Sequence, residues 1–177
     1  MTKLKELLFR HVSWKEAVMT FVGAFCGIGG CGLLAYLTDL PLIIAPFGAS
    51  AVLIYSAVSS PLAQPRNVIG GHLIAAFVAI SCCKLLGDSW YVMALAVSLA
   101  ILAMMATGTL HPPGGATALL CVLQGTDSYF FMLLPLVPGV AILLTAAILS
   151  SKIFPGVRPY PWKAAGKKQQ KEIHANP

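Results

Sequence analysis

Charged residues are scarce in this sequence. Lys, Arg, Asp and Glu make up 10% of its 177 residues, and only six residues are acidic. No acidic residue lies deep in an apolar stretch, so paired-carboxylate catalysis has no candidates, and a Ser50/His111 nucleophile pair would lack an orienting acid. The five cysteines lie in apolar stretches, where cysteine behaves as a small hydrophobe, and no cluster has metal-ligand spacing. We therefore expect no enzyme activity, no metal site and no cofactor.

Polar residues as a whole are fewer than hydrophobic residues in this sequence. Hydrophobic residues make up 58% of the chain, and the mean hydropathy is +0.82. This composition is too apolar for a soluble domain, and the length suffices for one compact membrane domain. The sequence predicts an integral protein of a bacterial inner membrane, with the lipid bilayer as its surroundings and no nucleic-acid partner. No short apolar core precedes a cleavage site, so a removed signal peptide is not expected.

The distribution of charge divides the chain into three parts. Residues 1–16 mix basic and apolar residues, which predicts an amphipathic helix on the cytoplasmic interface, with a solvated tail as the alternative. Residues 17–154 form a single predicted transmembrane domain, and residues 155–177 form a basic cytoplasmic tail. Four Lys/Arg precede the first span and six follow the last, so both termini are expected in the cytoplasm.

Two apolar stretches carry the same helix-breaking motif. They are PFGASAVL at residues 46–53 and PGGATALL at residues 113–120, which are identical at most positions. The proline withholds a backbone donor and small residues follow, which predicts a short helix that begins inside the membrane. The plainer alternative is a proline kink whose freed groups bond to neighbouring helices. Longer apolar runs at residues 17–38, 68–86, 92–108 and 130–151 are predicted spans.

The duplicated motif predicts an all-α membrane protein built from two repeats, at residues 17–86 and 91–154. Each repeat has a span, a broken helix and a second span. If the broken helices cross the membrane, the second repeat is inverted and the Pro/Gly-started half-helices meet near the midplane, as in secondary transporters. If they re-enter and leave on one face, they run in parallel, as in a pore vestibule. The crossing arrangement is favoured.

The predicted binding site lies where the half-helices begin. A helix N-terminus offers unpaired N–H groups and a partial positive charge, which suit a small anion. Arg66 is predicted mainly as a topological anchor and also as a group that draws anions to the cytoplasmic mouth. His72 and His111 are predicted to be proton-sensitive, with capping of a freed carbonyl as the alternative role. The predicted substrate-binding residues are Gly48, Ala49, Ser50, Arg66, Asn67, His72, His111, Gly114, Gly115, Ala116 and Thr117.

Three motifs together resemble a known family. They are HPPGGATAL at residues 111–119, PFGASAVL at residues 46–53 and PLAQPRNVIGGH at residues 61–72. The chain resembles the HPP family of integral membrane proteins, named for its His-Pro-Pro triplet, over roughly residues 14–155. The resemblance implies four spans, whereas the crossing arrangement has six. The two numbers agree if hydropathy analysis misses the two broken segments. The resemblance also implies a link to nitrite transport, which is associated with the plant members. No soluble regulatory domain follows in this sequence, so we expect the membrane part alone.

The sequence thus predicts a carrier or channel for a small inorganic anion, most of all nitrite or nitrate, bound between the paired half-helix N-termini. The alternative is a non-transporting assembly subunit whose glycine-rich breaks make close helix contacts. A channel for a small neutral solute such as urea would suit the same half-helices. Short segments in a small chain predict a homo-oligomer, with a dimer favoured. The exact substrate, coupling and direction stay open.

Overall fold

The computed structural model describes residues 12–162, and within that range the chain is all-helical. A 3₁₀ turn covers Pro61–Ala63, and the chain is kinked within Met132–Leu136, where Leu134 has extended backbone angles (φ −142°, ψ 120°). The six α-helices are α1 (Trp14–Thr38), α2 (Ala45–Ser56), α3 (Pro65–Leu86), α4 (Trp90–Thr107), α5 (Pro112–Leu123) and α6 (Val137–Ile153). The predicted N-terminal amphipathic helix lies almost wholly outside the described residues, as does most of the predicted basic tail.

Four helical stretches are long and apolar enough to cross a membrane: α1, α3, α4 and the kinked stretch Met132–Ile153. The prediction of an all-helical membrane protein is therefore confirmed. Helices α2 and α5 are also apolar, but each has only 12 residues. Such a helix rises roughly 18 Å, which is less than the apolar core of about 30 Å. Each follows a non-helical stretch, at residues 39–44 and 108–111.

Helices α1 and α6 pack side by side in opposite directions. A Cβ added at Gly23 would lie 3.1 Å from the hydroxyl oxygen of Ser150, near the end of α6. Further along α1, the Cys31 thiol lies 3.7 Å from the carbonyl oxygen of Gly139, near the start of α6. Glycines on α1 permit this approach because they carry no side chain to separate the two helices.

Helix α2 runs opposite to α1 and occupies only part of its length. The Thr20 hydroxyl donates to the carbonyl of Tyr55 over 3.0 Å, so the end of α2 lies beside the start of α1. At the other end, a Cβ added at Gly32 would lie 3.1 Å from the Ile43 side chain, just before α2. Between these two contacts, Gly27 allows α2 to pack closely on α1, because a Cβ at this position would overlap the Tyr55 hydroxyl.

Helix α5 runs beside α3 in the same direction, and α4 runs opposite to both. A Cβ added at Gly114, in the first turn of α5, would lie 2.8 Å from the carbonyl oxygen of Gly71 in α3. Beyond the end of α5, a Cβ added at Gly125 would lie 3.6 Å from the Asp88 carboxylate, just after α3. The end of α4 meets the start of α3, where Arg66 donates to the Thr107 carbonyl over 3.1 Å.

Candidate functional site

Four polar side chains meet in the middle of this apolar bundle, and we call them the central cluster. Ser50 comes from α2, His72 from α3 and Thr117 from α5, while His111 is the residue immediately before α5. All four residues are completely buried. Ionisable residues are rare in membrane interiors, and they commonly mark a functional site.

Hydrogen bonds join the central cluster into one continuous chain. The Ser50 hydroxyl oxygen lies 2.8 Å from Nε2 of His72 and 3.0 Å from Nε2 of His111. At one end, Nδ1 of His72 lies 2.7 Å from the Thr117 hydroxyl oxygen. At the other end, Nδ1 of His111 lies 2.8 Å from the carbonyl oxygen of Leu62, in the 3₁₀ turn before α3. Both ring nitrogens of both histidines therefore have partners.

The two rings are held in place by close packing as well as by hydrogen bonds. Their centroids lie 5.0 Å apart, and the Phe47 ring lies edge-to-face with His72 at 5.8 Å. Gly71 lets the turn before α5 approach α3, because a Cβ there would overlap the Cβ of His111. Gly114 makes the matching approach from α5, against the backbone of Gly71. Small residues at both positions thus bring the histidines together.

Arg66 and Asn67 lie outside the central cluster and hold the turn that leads into α5. The exposed Arg66 side chain bonds to the Thr107 carbonyl, and Asn67 Nδ2 donates to the carbonyl of Leu110 over 2.9 Å. Between these two carbonyls, Gly108 adopts a left-handed φ of +63° that glycine accommodates without strain. Arg66 therefore ties the start of α3 to the end of α4, and its predicted roles as a topological anchor and as a charge that draws anions both stay predictions.

In the structure, only some residues of the two Pro/Gly motifs point toward the centre of the bundle. Ser50 and Thr117 point inward, and Gly114 packs against α3. Gly48, Ala49 and Ala116 are exposed on the outer sides of their helices, and Gly115 is half-buried with open space around it. Successive helical residues point about 100° apart, so a residue next to a buried one faces elsewhere. The predicted part of these four residues in substrate binding stays a prediction.

The start of α5 offers fewer backbone N–H groups than an ordinary helix N-terminus, and the predicted binding of an anion by such groups stays a prediction. Pro112 and Pro113 have no N–H group, and the N–H of Gly114 donates to the carbonyl of His111 over 2.8 Å. At α2, Pro46 likewise lacks a donor, and the N–H of Phe47 donates back to Ile44 over 3.0 Å. Side chains of the central cluster are thus the main polar groups at the midpoint of the bundle.

The central cluster is closed and internally satisfied. Across residues 12–162, no buried side-chain nitrogen or oxygen lacks a hydrogen-bond partner, and no group of three His, Cys, Asp or Glu could hold a metal ion. An apolar cavity of about 120 Å³ adjoins the His72 ring between α3 and α6, with Ile69, Leu136 and Val140 among its lining residues. The sequence signals for a break before α6 are Pro135 and Pro138.

Comparison with known proteins identifies a family of transmembrane proteins. The profile of the HPP transmembrane region matches residues 9–161. The chain belongs to the HPP family. Two transmembrane proteins of Dictyostelium discoideum are each 37% identical to this HPP chain, over 158 and 159 residues. The alignments cover 83% of this chain and 55% and 50% of the relatives, so the HPP chain spans about half the length of the curated relatives it matches. No solved structure matches it.

The three motifs that carry the HPP resemblance all contribute to the central cluster. The motif at residues 46–53 provides Ser50, and the motif at residues 61–72 provides His72 and the Leu62 carbonyl. The motif at residues 111–119 provides His111 and Thr117. Residues that are distant in the sequence therefore form one polar site in the HPP chain. The His-Pro-Pro triplet contributes both its imidazole and the two prolines that begin α5.

Proposed function

We propose that this HPP protein transports a small inorganic anion, with nitrite or nitrate as the candidate substrate, and that the anion passes the central cluster. The observation that carries the proposal is that two histidines and two hydroxyls, all fully buried, meet in an apolar bundle, with Ser50 and Thr117 each half-way along a short helix. These groups donate hydrogen bonds, and a histidine can become a cation.

The charge of the bundle supports an anion in preference to a cation. The acidic residues of the described part lie at helix ends or in loops: Glu16, Asp39, Asp88 and Asp127. The central cluster contains no carboxylate that would neutralise a cation. A proton on either histidine would leave a positive charge in an apolar interior, and an anion would relieve the cost of that charge.

The directions of the helices support the crossing arrangement, with two inverted repeats. Helix α2 begins near the central cluster and ends where Arg158 bonds to both Ser56 and Glu16. Helix α5 also begins at the cluster but ends beside Asp88, beyond the other end of α3. We therefore propose that the two half-helices meet at the centre and point to opposite faces of the membrane, as in secondary transporters.

A structural role is the second candidate, because the central cluster satisfies all of its own hydrogen bonds. A closed network of this kind would also join the two halves of an assembly subunit that binds nothing. Transport requires the network to open, with an anion replacing some of its internal bonds. The two roles therefore differ in whether any solute crosses the membrane.

Flux into liposomes that contain the purified protein separates these roles. Nitrite, nitrate, chloride and urea are tested one at a time near neutral pH, against protein-free liposomes that measure passive leak. We expect nitrite or nitrate flux above the leak, and a fall of about fivefold in Thr117→Val, which loses one hydroxyl contact of about 1 kcal/mol. Urea flux alone would favour the neutral-solute role, and no flux by folded protein would favour the assembly role.

The matched control is Ser150→Ala. Ser150 is also a buried hydroxyl in a membrane helix, but its hydroxyl donates to the Ala147 carbonyl of its own helix and does not contact the central cluster. Its flux should equal that of the unchanged protein. Equal losses in both variants would mean that removing any buried hydroxyl impairs the protein, and the assignment of the cluster to the pathway would then fail.

A further inference from the structure

The carbonyl of Leu62 fixes the protons of the whole central cluster. A carbonyl oxygen only accepts hydrogen bonds, so Nδ1 of His111, at 2.8 Å, must carry the hydrogen. A neutral imidazole has one N–H, so Nε2 of His111 is an acceptor. The hydroxyl of Ser50, 3.0 Å away, then donates its only hydrogen to that nitrogen.

The same reasoning continues to the other end of the chain. Since the hydrogen of Ser50 is used, its oxygen must accept from Nε2 of His72 at 2.8 Å. Neutral His72 therefore has an acceptor at Nδ1, and the hydroxyl of Thr117 donates to it over 2.7 Å. Hydrogen bonds thus run in one direction, from Thr117 through His72 and Ser50 to His111, and end at a carbonyl.

The two histidines differ in how they would receive another proton. A proton on Nε2 of His111 would make the Ser50 hydroxyl donate to His72 instead, because in the described part of the chain that hydroxyl bonds only to the two histidines, and His72 would then have to change its tautomer. A proton on Nδ1 of His72 requires neither change. Thr117 would then accept from Nδ1, and its own hydrogen would turn to the carbonyl of Pro113, 3.3 Å away.

No fixed charge faces His72 from the elements packed against it. Helix α2 presents Ser50 and Phe47, and α5 presents Thr117. The cavity beside the ring is lined from α6 by apolar residues such as Val140. Among residues 12–162, the titratable neighbour of His72 is His111, whose ring lies 5.0 Å away. A proton bound here would not be neutralised by a carboxylate, so its charge would remain available to an anion.

We infer that Nδ1 of His72 binds the proton that is transported with the anion. The Thr117 hydroxyl is the switch, because it changes from donating a hydrogen bond to Nδ1 to accepting one from the new N–H. His111 is then a positioning residue, held in one tautomer by Leu62. Binding consumes one proton from water, forms one N–H bond and breaks only the hydrogen bond from Thr117 to His72. The coupling to transport rests on the proposed function, whereas the protonation of His72 does not.

Nitrogen NMR of the protein in lipid bilayers tests the assignment directly. Histidine is labelled with ¹⁵N, and signals are assigned by replacing each of the four histidines in turn. At neutral pH we expect the Nε2–H tautomer for His72 and the Nδ1–H tautomer for His111. As the pH falls, His72 should become doubly protonated while His111 stays neutral. Protonation of His111 first, or the opposite tautomers, would overturn the inference.

Two variants at one position separate the switch from simple packing. Thr117→Val removes the hydroxyl at nearly constant volume, and Thr117→Ser keeps it. The valine variant leaves the imidazolium N–H without an acceptor, so the pH midpoint of the His72 signal should fall by about one unit. The serine variant should keep the original midpoint. Equal midpoints in the valine variant and the unchanged protein would exclude Thr117 as the switch.

Flux in the same variants distinguishes this inference from the proposed function. If the protein transports anions with a proton on His72, the pH dependence of flux should shift with the NMR midpoint in Thr117→Val. Anion flux in the presence of a permanently neutral His72 would overturn the proton site and leave the proposed function intact. The expected NMR titration in a protein without flux would overturn the proposed function and leave the proton site.

Discussion

Ser50 and His111 lie 61 positions apart in the sequence, yet Ser50 Oγ is 3.0 Å from Nε2 of His111. This single hydrogen bond joins the first short helix to the turn that begins the second. It also closes the middle of the bundle, since both residues are fully buried. An anion at this point would have to break the bond, so the structure corresponds to a closed state of the proposed pathway.

The first prediction concerns the stability that this link provides. Ser50→Ala should lower the free energy of unfolding by about 2 kcal/mol, because it leaves a buried N–H on His72 and a buried acceptor on His111 without partners. The control is Ser56→Ala in the same helix, where an exposed hydroxyl donates only to the Val52 carbonyl of its own helix. That change should cost no more than about 0.5 kcal/mol.

Denaturant titration of both variants in the same detergent measures this difference. Chemical denaturation is preferred to a thermal midpoint if the protein aggregates on heating, because the comparison needs an equilibrium. Equal stability of Ser50→Ala and Ser56→Ala would mean that water or a side-chain rearrangement replaces the lost bonds, and the cluster would then contribute little to the fold.

The second prediction uses two adjacent glycines in α5. Gly114→Ala should destabilise the protein, because its Cβ would lie 2.8 Å from the carbonyl oxygen of Gly71 and 2.9 Å from the sulfur of Met104. Gly115→Ala should be tolerated, since nothing lies within 4 Å of a Cβ there. The folded yield and the unfolding midpoint of the two variants measure the difference. Comparable losses would show that α5 does not pack on α3 as described.

Much of the fold could be predicted because it depends on composition and on proline. Apolar runs identify the four long helices, and prolines near the N-termini of α2 and α5 identify the short ones. The sequence does not show which side of a short helix is buried, because α2 and α5 carry apolar residues on all of their faces. For that reason the sequence predicts Gly48, Ala49 and Ser50 together at the site, whereas in the structure Ser50 is buried and Gly48 and Ala49 are exposed.

The side chains of the central cluster could also be predicted, but not the order of their bonds. Ser50, Thr117 and the two histidines stand out as polar residues near helix breaks. The decisive partner is the backbone carbonyl of Leu62, and any residue provides a carbonyl, so no sequence pattern identifies it. Which histidine binds a proton depends on that carbonyl, and therefore on tertiary structure.

The third prediction concerns Arg66 as a steering charge. Arg66→Gln should lower anion flux and weaken its dependence on ionic strength, because one fixed cation raises the local concentration of anions near a low-dielectric pathway. Arg66→Lys keeps the charge and should retain both properties. Because Arg66 also bonds to the Thr107 carbonyl at the end of α4, folding of each variant is checked first. Unchanged flux in folded Arg66→Gln would leave Arg66 as an anchor only.

The fourth prediction is the sidedness of the loops. In the crossing arrangement, Arg66 and Arg158 lie on the cytoplasmic face, while Asp39, Asp88 and Asp127 lie outside. Single cysteines are placed at these positions in a protein whose five natural cysteines have been replaced. A maleimide that cannot cross membranes should then label positions 39, 88 and 127 in intact cells, and positions 66 and 158 only after the membrane is opened.

Position 66 discriminates between the two arrangements. If α2 enters and leaves on one face, the chain returns to the outside before α3, and position 66 becomes accessible in intact cells while position 88 becomes inaccessible. Positions 39 and 158 serve as controls, because each keeps its side of the membrane in both arrangements. Position 39 follows the end of α1 on the outer face, and position 158 follows the end of α6 on the cytoplasmic face. Labelling of position 66 from outside, with these controls behaving as expected, would refute the inverted repeat and with it the meeting of two half-helices from opposite faces.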